Sequence, residues 1–300
     1  MSEIGAEKTG TEKTCTEKTC MGTEPVAVMT TLYRKDPLHH FELAIGSIEA
    51  QDIAAERRIY LCVDGPLPET HESWLAANAH RFHRILRNDS NIGLARSLNR
   101  LIDLLEDEEL VFRMDGDDIS LPSRFRKQAE MLRADPSLGL IGCQVVDIDD
   151  DGSPLQPRTY PTDAGQVRAM LTRANPILHP TFCFRRSVLR EAKLRYPDAY
   201  LCEDLALLIL VARRGIGLSN HPETLFQWRT GGNFFARRRD FRRGWTEMRW
   251  YLAALRDQGR LLSPGLVYPF ARFAMRCMPL WMIRCLYRSG LRNRTLEIRG

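Results

Sequence analysis

The apolar run Leu110-Val111-Phe112-Arg113-Met114 delivers Asp115-Gly116-Asp117-Asp118 to its end, and few arrangements of a chain tolerate that. Three carboxylates so close together at the end of a buried strand repel one another unless a cation lies among them. Oxygen donors of this kind suit Mg²⁺ or Mn²⁺, and Mg²⁺ commonly takes one or two carboxylates together with substrate phosphates. Gly116 permits a close backbone approach. The competing reading is a solvated acidic turn that caps the next helix through Ser120 or Asp118. The strand in front of the cluster favours the metal.

The surrounding pattern gives the strand its context. Apolar runs at 26–29, 58–63, 82–86, 110–114 and 140–146 predict strands. Helical spacing marks 38–50 and 93–105, the second with Leu94, Leu98, Leu101, Ile102 and Leu105 on one face. Strands alternating with helices predict an α/β fold, a Rossmann-like and mostly parallel sheet flanked by helices. Ligands of such sheets bind beyond the C-terminal ends of the strands. Asp64, Asn88, Asn91 and Asp115 all follow strand ends, so polar residues converge on one edge.

Farther along, 187–193 and 204–214 predict helices and 224–228 a short strand. Residues 1–24, with Thr11-Glu12-Lys13-Thr14-Cys15 repeated as Thr16-Glu17-Lys18-Thr19-Cys20, have no apolar periodicity and predict a disordered tail. The expected organisation is this tail, a catalytic domain over 25–235, and a basic amphipathic helical extension over 236–300.

Two further acids, Glu203 and Asp204, precede an apolar helix (Leu205, Leu207, Leu208, Leu210, Val211). They either cap it and complement its dipole or present a general base to a cleft. His179 lies between prolines in Asn175-Pro176-Ile177-Leu178-His179-Pro180-Thr181, and Trp228-Arg229 closes the region. Arginine there could bind a diphosphate or face solvent. Asp147-Ile148-Asp149-Asp150-Asp151-Gly152 fails as a calcium loop, because the position needing a bidentate carboxylate is Arg158.

Together these segments resemble family 2 glycosyltransferases, in particular the subgroup, including amylovoran-type enzymes, that builds bacterial exopolysaccharide and lipopolysaccharide. The resemblance spans about 25–232 and rests on the 26–33 strand, Val63-Asp64-Gly65, Asn91-Ile92-Gly93-Leu94 with Leu98-Asn99, and Met114-Asp115-Gly116-Asp117-Asp118-Ile119-Ser120. It continues through Pro122-Ser123-Arg124-Phe125 with Gln128, Asn175-Pro176-Ile177 with His179-Pro180-Thr181, Glu203-Asp204 and Trp228-Arg229. It implies a GT-A fold and an inverting transfer from a nucleotide-sugar donor, a UDP-sugar, to a saccharide or lipid-linked acceptor. By the same resemblance Asp64 contacts the base, Asp115 and Asp117 hold the diphosphate and a divalent cation (Mn²⁺ or Mg²⁺), and Asp204, with Glu203 as fallback, is the catalytic base. Thr31, Tyr33, Asn91, Gly93, His179, Trp228 and Arg229 complete the donor site. The paired glycines common before the family's Glu-Asp motif are absent here (Leu194-Arg195-Tyr196-Pro197-Asp198-Ala199-Tyr200), and so is the processive Gln-x-x-Arg-Trp motif. A single-addition enzyme is expected.

Charge and cysteine usage place the activity. Net charge is +5, with arginine concentrated from Arg229 onward, which calls for an anionic partner. Eight cysteines without C-x-x-C or zinc spacing predict reduced thiols in the cytoplasm, and neither a signal peptide nor an apolar stretch of about 20 residues occurs. Leu266, Val267, Phe270, Phe273, Met275, Leu280, Trp281, Ile283 and Leu286 are interrupted by Arg272, Arg276 and Arg284. Each arginine costs about 2.5–3.5 kcal/mol at a bilayer centre but contributes about 1 kcal/mol at an anionic surface. Peripheral attachment to the inner face of the membrane is expected. Two other classes compete. A nucleotidyltransferase would carry a glycine-rich phosphate loop with lysine after the first strand, and 29–36 has none. A nucleic-acid-binding module would use Phe241, Trp245, Trp250 and Tyr251 among the arginines; no nucleic-acid partner is expected.

Overall fold

The computed structural model describes residues 24–230 and 240–278. Its N-terminal half alternates: β1 (Val26–Leu32), α1 (Leu38–Glu49), β2 (Arg57–Asp64), α2 (Glu69–Ala77), β3 (Arg84–Asn88), α3 (Leu94–Leu104) and β4 (Leu110–Arg113). Then come β5 (Ile119–Ser120), α4 (Arg124–Ala134), β6 (Leu138–Ile148), β7 (Pro154–Arg158), α5 (Ala164–Met170), β8 (Cys183–Arg185), α6 (Arg186–Arg190), α7 (Glu203–Arg213) and β9 (Gly217–Arg229). The helices α8 (Phe241–Asp257) and α9 (Val267–Cys277) end the described chain. The expected tail over 1–24, apart from Glu24, lies outside the described residues, as do Leu280, Trp281, Ile283, Arg284 and Leu286.

The strands form one sheet in the order β3-β2-β1-β4-β8-β6-β9-β5, with β7 beside β6. β3, β2, β1 and β4 run parallel, as do β6 and β9, while β8 enters antiparallel between β4 and β6. This is the expected α/β architecture, a parallel-rich sheet flanked by helices. Its strands are apolar on both sides because both faces are covered. Ala27 and Met29 of β1 face a core shared with Leu98 and Leu101 of α3 and Leu205 and Leu208 of α7. Val26 and Val28 face the opposite core, with Phe41 and Ile45 of α1 and Phe125 and Leu132 of α4. The registers Thr31↔Cys62, Asp64↔Asn88 and Met29↔Arg113 bring the C-terminal ends of the parallel strands to one edge.

α8 contributes to the first of these cores through Tyr251 and Ala254. On its face toward α9 it buries Glu247, whose carboxylate accepts from Arg272 Nη2 at 2.7 Å and Arg276 Nε at 2.5 Å. Burial pushes this carboxyl upward, but the two guanidiniums outweigh it and hold the carboxyl at about 2. Two of the arginines that interrupt the apolar C-terminal segment therefore bind the molecule's own Glu247. Among the described residues no helix is long and apolar enough to cross a membrane.

Candidate active site

The acidic segment leaves β4 as a loop pressed against β1. A Cβ on Gly116 would lie 2.9 Å from the Phe41 ring and 3.1 Å from the Thr31 carbonyl, so a side chain here would force the loop off Thr31. One potential ligand atom from each of Asp115, Asp117 and Asp118 falls within 4.8 Å of the others. Asp118 is buried. Its Oδ1 accepts from the Arg229 backbone N–H at 2.8 Å, and its Oδ2 has no partner. Neither Ser120 nor Asp118 caps a helix: Ser120 pairs in β5, and α4 starts from Ser123 without a side-chain cap. Arg229 clamps the loop in place. Its guanidinium donates to the carbonyls of Asp117 at 2.8 Å and of Asp149 and Asp150 at 2.7 Å, tying the β6–β7 turn to the acidic loop.

A fourth carboxylate joins from the loop between β1 and α1. Asp36 accepts from the Tyr33 N–H at 2.8 Å, and burial, reinforced by the Asp115 charge, pushes its carboxyl up to about 6. Asp117 is pushed up to about 7 by burial first and then by the charges of Asp115 and Asp36. Asp118 is pushed well above the ordinary range by burial, then by Asp117 and Asp115. Oxygen-only donors, mutual repulsion and a buried carboxylate oxygen with no partner fit a hard divalent cation.

At the end of β2, the buried Asp64 organises the neighbouring loop. Its Oδ1 accepts from Asn88 Nδ2 at 2.8 Å and the Ile92 N–H at 2.9 Å, and its Oδ2 accepts from the Gly93 N–H at 3.0 Å. Gly65 (φ +96°) and Gly93 (φ +88°) supply the left-handed turns, while Asn91 is exposed beside Gly65. A Cβ on Gly65 would come within 2.8 Å of the Asn91 nitrogen. Gly65→Ala is expected to cost about 1–3 kcal/mol of stability, read by urea unfolding, and to weaken nucleotide binding as the 91–93 loop shifts. An unchanged midpoint and unchanged affinity would disprove this.

Glu203 and Asp204 open α7 on the same side of the sheet. The preceding Leu201 holds a left-handed φ of 53°, and Cys202, the residue at the cap position, makes no side-chain cap. Asp204 Oδ2 accepts from Asn175 Nδ2 at 2.5 Å, and Asn175 Oδ1 accepts from the Ile177 N–H at 3.3 Å, which orients the amide. Burial raises both carboxyls, and the Asp204 charge adds to the rise at Glu203. His179 is buried, its Nε2 2.9 Å from the Tyr196 hydroxyl. Burial and Arg113 hold its ring neutral, and the ring meets Phe182 and Tyr196 edge-on. Trp228 lies beneath the Arg158 guanidinium, 4.7 Å from the ring centre. Arg158 grips Asp147 through two bonds of 2.6 and 2.7 Å, so the residue that rules out a calcium loop is the partner of its first acid.

Nothing in the sequence singles out Arg113, yet its side chain is 1% exposed and its Nη2 donates to Asp115 Oδ1. Its charge reaches Asp115, Tyr196 and Asp118, and also Glu203 and Asp204. The backbone carbonyl of Arg113 accepts from Arg124 Nη2 at 3.0 Å, and Arg124 is itself fully buried over Phe226 and bonded to Gln128 at 3.0 Å. The 122–128 motif thus holds up the end of β4.

Comparison with known proteins fits this arrangement. The family model described as Glycosyl transferase family 2 matches residues 43–192. The chain is 28% identical over 266 residues to the amylovoran biosynthesis glycosyltransferase AmsE of Erwinia amylovora, covering 87% of this chain and 97% of that one. It is 32% identical over 123 residues to the O-antigen biosynthesis glycosyltransferase WbnJ of Escherichia coli, covering 40% and 47%. Among solved structures, S. aureus TarS superposes with a TM-score of 0.62 at 13% identity, covering 92% of this chain and 75% of that one. The Pyrobaculum calidifontis mannosyltransferase PcManGT, in complex with GDP-Man and Mn²⁺, superposes at 0.59 with 17% identity, covering 90% and 81%. These superpositions show the GT-A fold.

Proposed function

The chain belongs to glycosyl transferase family 2, and from that premise we propose that it moves a single sugar from a nucleoside-diphosphate sugar to a saccharide or lipid-linked hydroxyl in surface polysaccharide assembly, with inversion. The observation that carries this reading is the carboxylate cluster at the end of β4, bonded by Arg113, whose charge also reaches the Glu203-Asp204 pair at the start of α7. Asp115 and Asp117 hold a divalent cation, Mn²⁺ or Mg²⁺, and Asp118 supplies a further oxygen. Once bound there, a divalent cation would supply the positive charge that neutralises the leaving diphosphate. Asp204 takes the proton of the acceptor hydroxyl, and Asn175 aims its carboxylate. A single base suffices, where a hydrolase needs two carboxylates. Asp64, with the 91–93 loop it organises, and the Thr31–Tyr33 end of β1 frame the nucleotide. The relatives in amylovoran and O-antigen biosynthesis support the acceptor class, and the neighbours with bound UDP-GlcNAc and GDP-Man support the donor class. The test is a screen of nucleotide sugars with and without Mn²⁺, following release of nucleoside diphosphate. Release from no donor under any metal condition would refute the reading.

The enzyme works at the inner face of the membrane, attached through α8 and α9. Val267, Phe270 and Met275 of α9 and Phe241 and Trp245 of α8 are exposed apolar groups. Arg272 and Arg276 are bound to Glu247, so insertion of these groups matters more than headgroup charge. Full-length protein is expected to float with anionic vesicles, and Val267→Asp with Phe270→Asp to abolish flotation while leaving soluble turnover intact. Flotation unaltered by the pair would place attachment elsewhere. Truncation before α8 is a poor test, since it would strip Tyr251 from the core.

A further inference from the structure

Arg113 is a buried cation inside a site built for another cation. Its Nη2 binds Asp115, while its Nε and Nη1 are buried with no hydrogen-bond partner. The alternation of β4 puts Arg113 on the side of Val111, in the core shared with α7, so its guanidinium meets the acidic loop from below. Full burial of an arginine with two donors unsatisfied is costly and needs a compensating role. Around it stand Asp115, Asp117 and Asp118, with Asp36 near them, and among the described residues it is the guanidinium bonded to a carboxylate of this cluster, while those of Arg124 and Arg229 bind backbone carbonyls beside it.

We propose that Arg113 is the resident counter-ion of the donor-free site, competing with the divalent metal for Asp115, so that metal is held tightly only when a nucleoside diphosphate arrives with it. The proposal rests on the metal reading above and adds to it a coupling between the two ligands. With Arg113 present, the carboxylates are partly neutralised and a metal alone gains little. A diphosphate brings new negative charge and further oxygen ligands, and the balance then favours the metal. Coupling of this kind is reciprocal: metal tightens nucleotide as much as nucleotide tightens metal.

Mn²⁺ binding to the metal-free full chain, followed by electron paramagnetic resonance and calorimetry with and without UDP or GDP, tests this. Wild type is expected to bind Mn²⁺ weakly alone and more tightly by at least about tenfold with the nucleotide. Arg113→Met should bind Mn²⁺ alone about tenfold more tightly than wild type, with the nucleotide adding less, while turnover falls. Arg113→Lys should return Mn²⁺ affinity toward wild type. If methionine unfolds the chain, Arg113→Gln, which keeps a donor for Asp115 without the charge, carries the same expectation. A merely structural arginine would give the opposite sign, since a disordered loop binds metal less well. Mn²⁺ affinity that is unchanged or weakened in these variants overturns the proposal alone. Wild type that takes up no Mn²⁺ even with nucleotide overturns the metal reading with it.

Discussion

Asp117→Ala is expected to abolish metal-dependent turnover, by about 10²–10³-fold or more, as several kcal/mol of leaving-group stabilisation disappear. The variant is expected to stay folded, because the sign of the stability change runs the other way. Burial and the neighbouring charges push the Asp117 carboxyl up to about 7 in the folded chain, so folding is penalised for ionising it. That penalty is absent below the ordinary carboxylate range and complete above about 7. The metal-free variant should therefore melt at or above the wild-type temperature, with the gain larger at pH 8 than at pH 5. Addition of Mn²⁺ together with UDP or GDP should raise the melting temperature of wild type more than either nucleotide alone, and Mn²⁺ should add nothing to the variant. Wild-type-like turnover in the purified variant would remove Asp117 from the metal site, and a variant that melts much lower at pH 8 would contradict the electrostatics.

The features that could be read from the sequence are the local ones. Apolar runs on both faces announce β1, β2 and β4, a 3.6-residue period announces α3, and the acids at the end of β4 need no tertiary information to be recognised as a cluster. Long-range pairing was harder to foresee. The strand expected at 224–228 extends to β9, Gly217–Arg229, because β6 pairs along nearly all of it, with register shifts around polar His221-Pro222-Glu223 that break the apolar pattern. β7 carries Pro154 and Pro157, which suit only a strand paired on one side, and its exposed residues give no periodic signal. The strand expected at 82–86 begins two residues later, since Phe82 packs against Phe41 and Trp74 instead of pairing.

The same distinction governs the site. Asp36 gives no signal in the sequence because its significance lies in proximity to Asp115 across two strand ends. Arg113 looks like a defect in an apolar strand until its partner is seen. Arg229, expected to bind a diphosphate or face solvent, binds three backbone carbonyls, a role no local pattern specifies. Burial of His179 against Tyr196 likewise depends on Asn99, which accepts from the Tyr196 N–H at 2.9 Å and donates to its carbonyl at 2.8 Å from far earlier in the chain.

Asp204→Asn is expected to leave donor and Mn²⁺ binding within about twofold of wild type and to lower transfer by about 10²–10⁴-fold, the usual contribution of a positioned acid–base group. The asparagine keeps the shape and one acceptor for the Asn175 amide, so the wall built by α7 should survive. What it cannot do is take a proton. In wild type, burial raises the Asp204 carboxyl while the Leu205 N–H, Arg243 and Arg113 pull it down. Turnover should thus fall as pH drops through a value above the ordinary aspartate range. Asn175→Ala removes a donor to the charged form and should move that acid limb upward with little change in donor affinity. Among the described residues the charges acting on the carboxylate include Arg113 from β4, Glu203 beside it, and Arg243 and Glu247 from α8. Because α8 contributes to that set, Arg243→Gln should shift the limb in the same direction. If Asp204→Asn instead loses donor affinity at unchanged turnover, Asp204 is a ligand-binding group and the base must be sought at Glu203. If the acid limb stays in place when Asn175 and Arg243 are replaced, the titrating group that limits transfer is not on α7 at all.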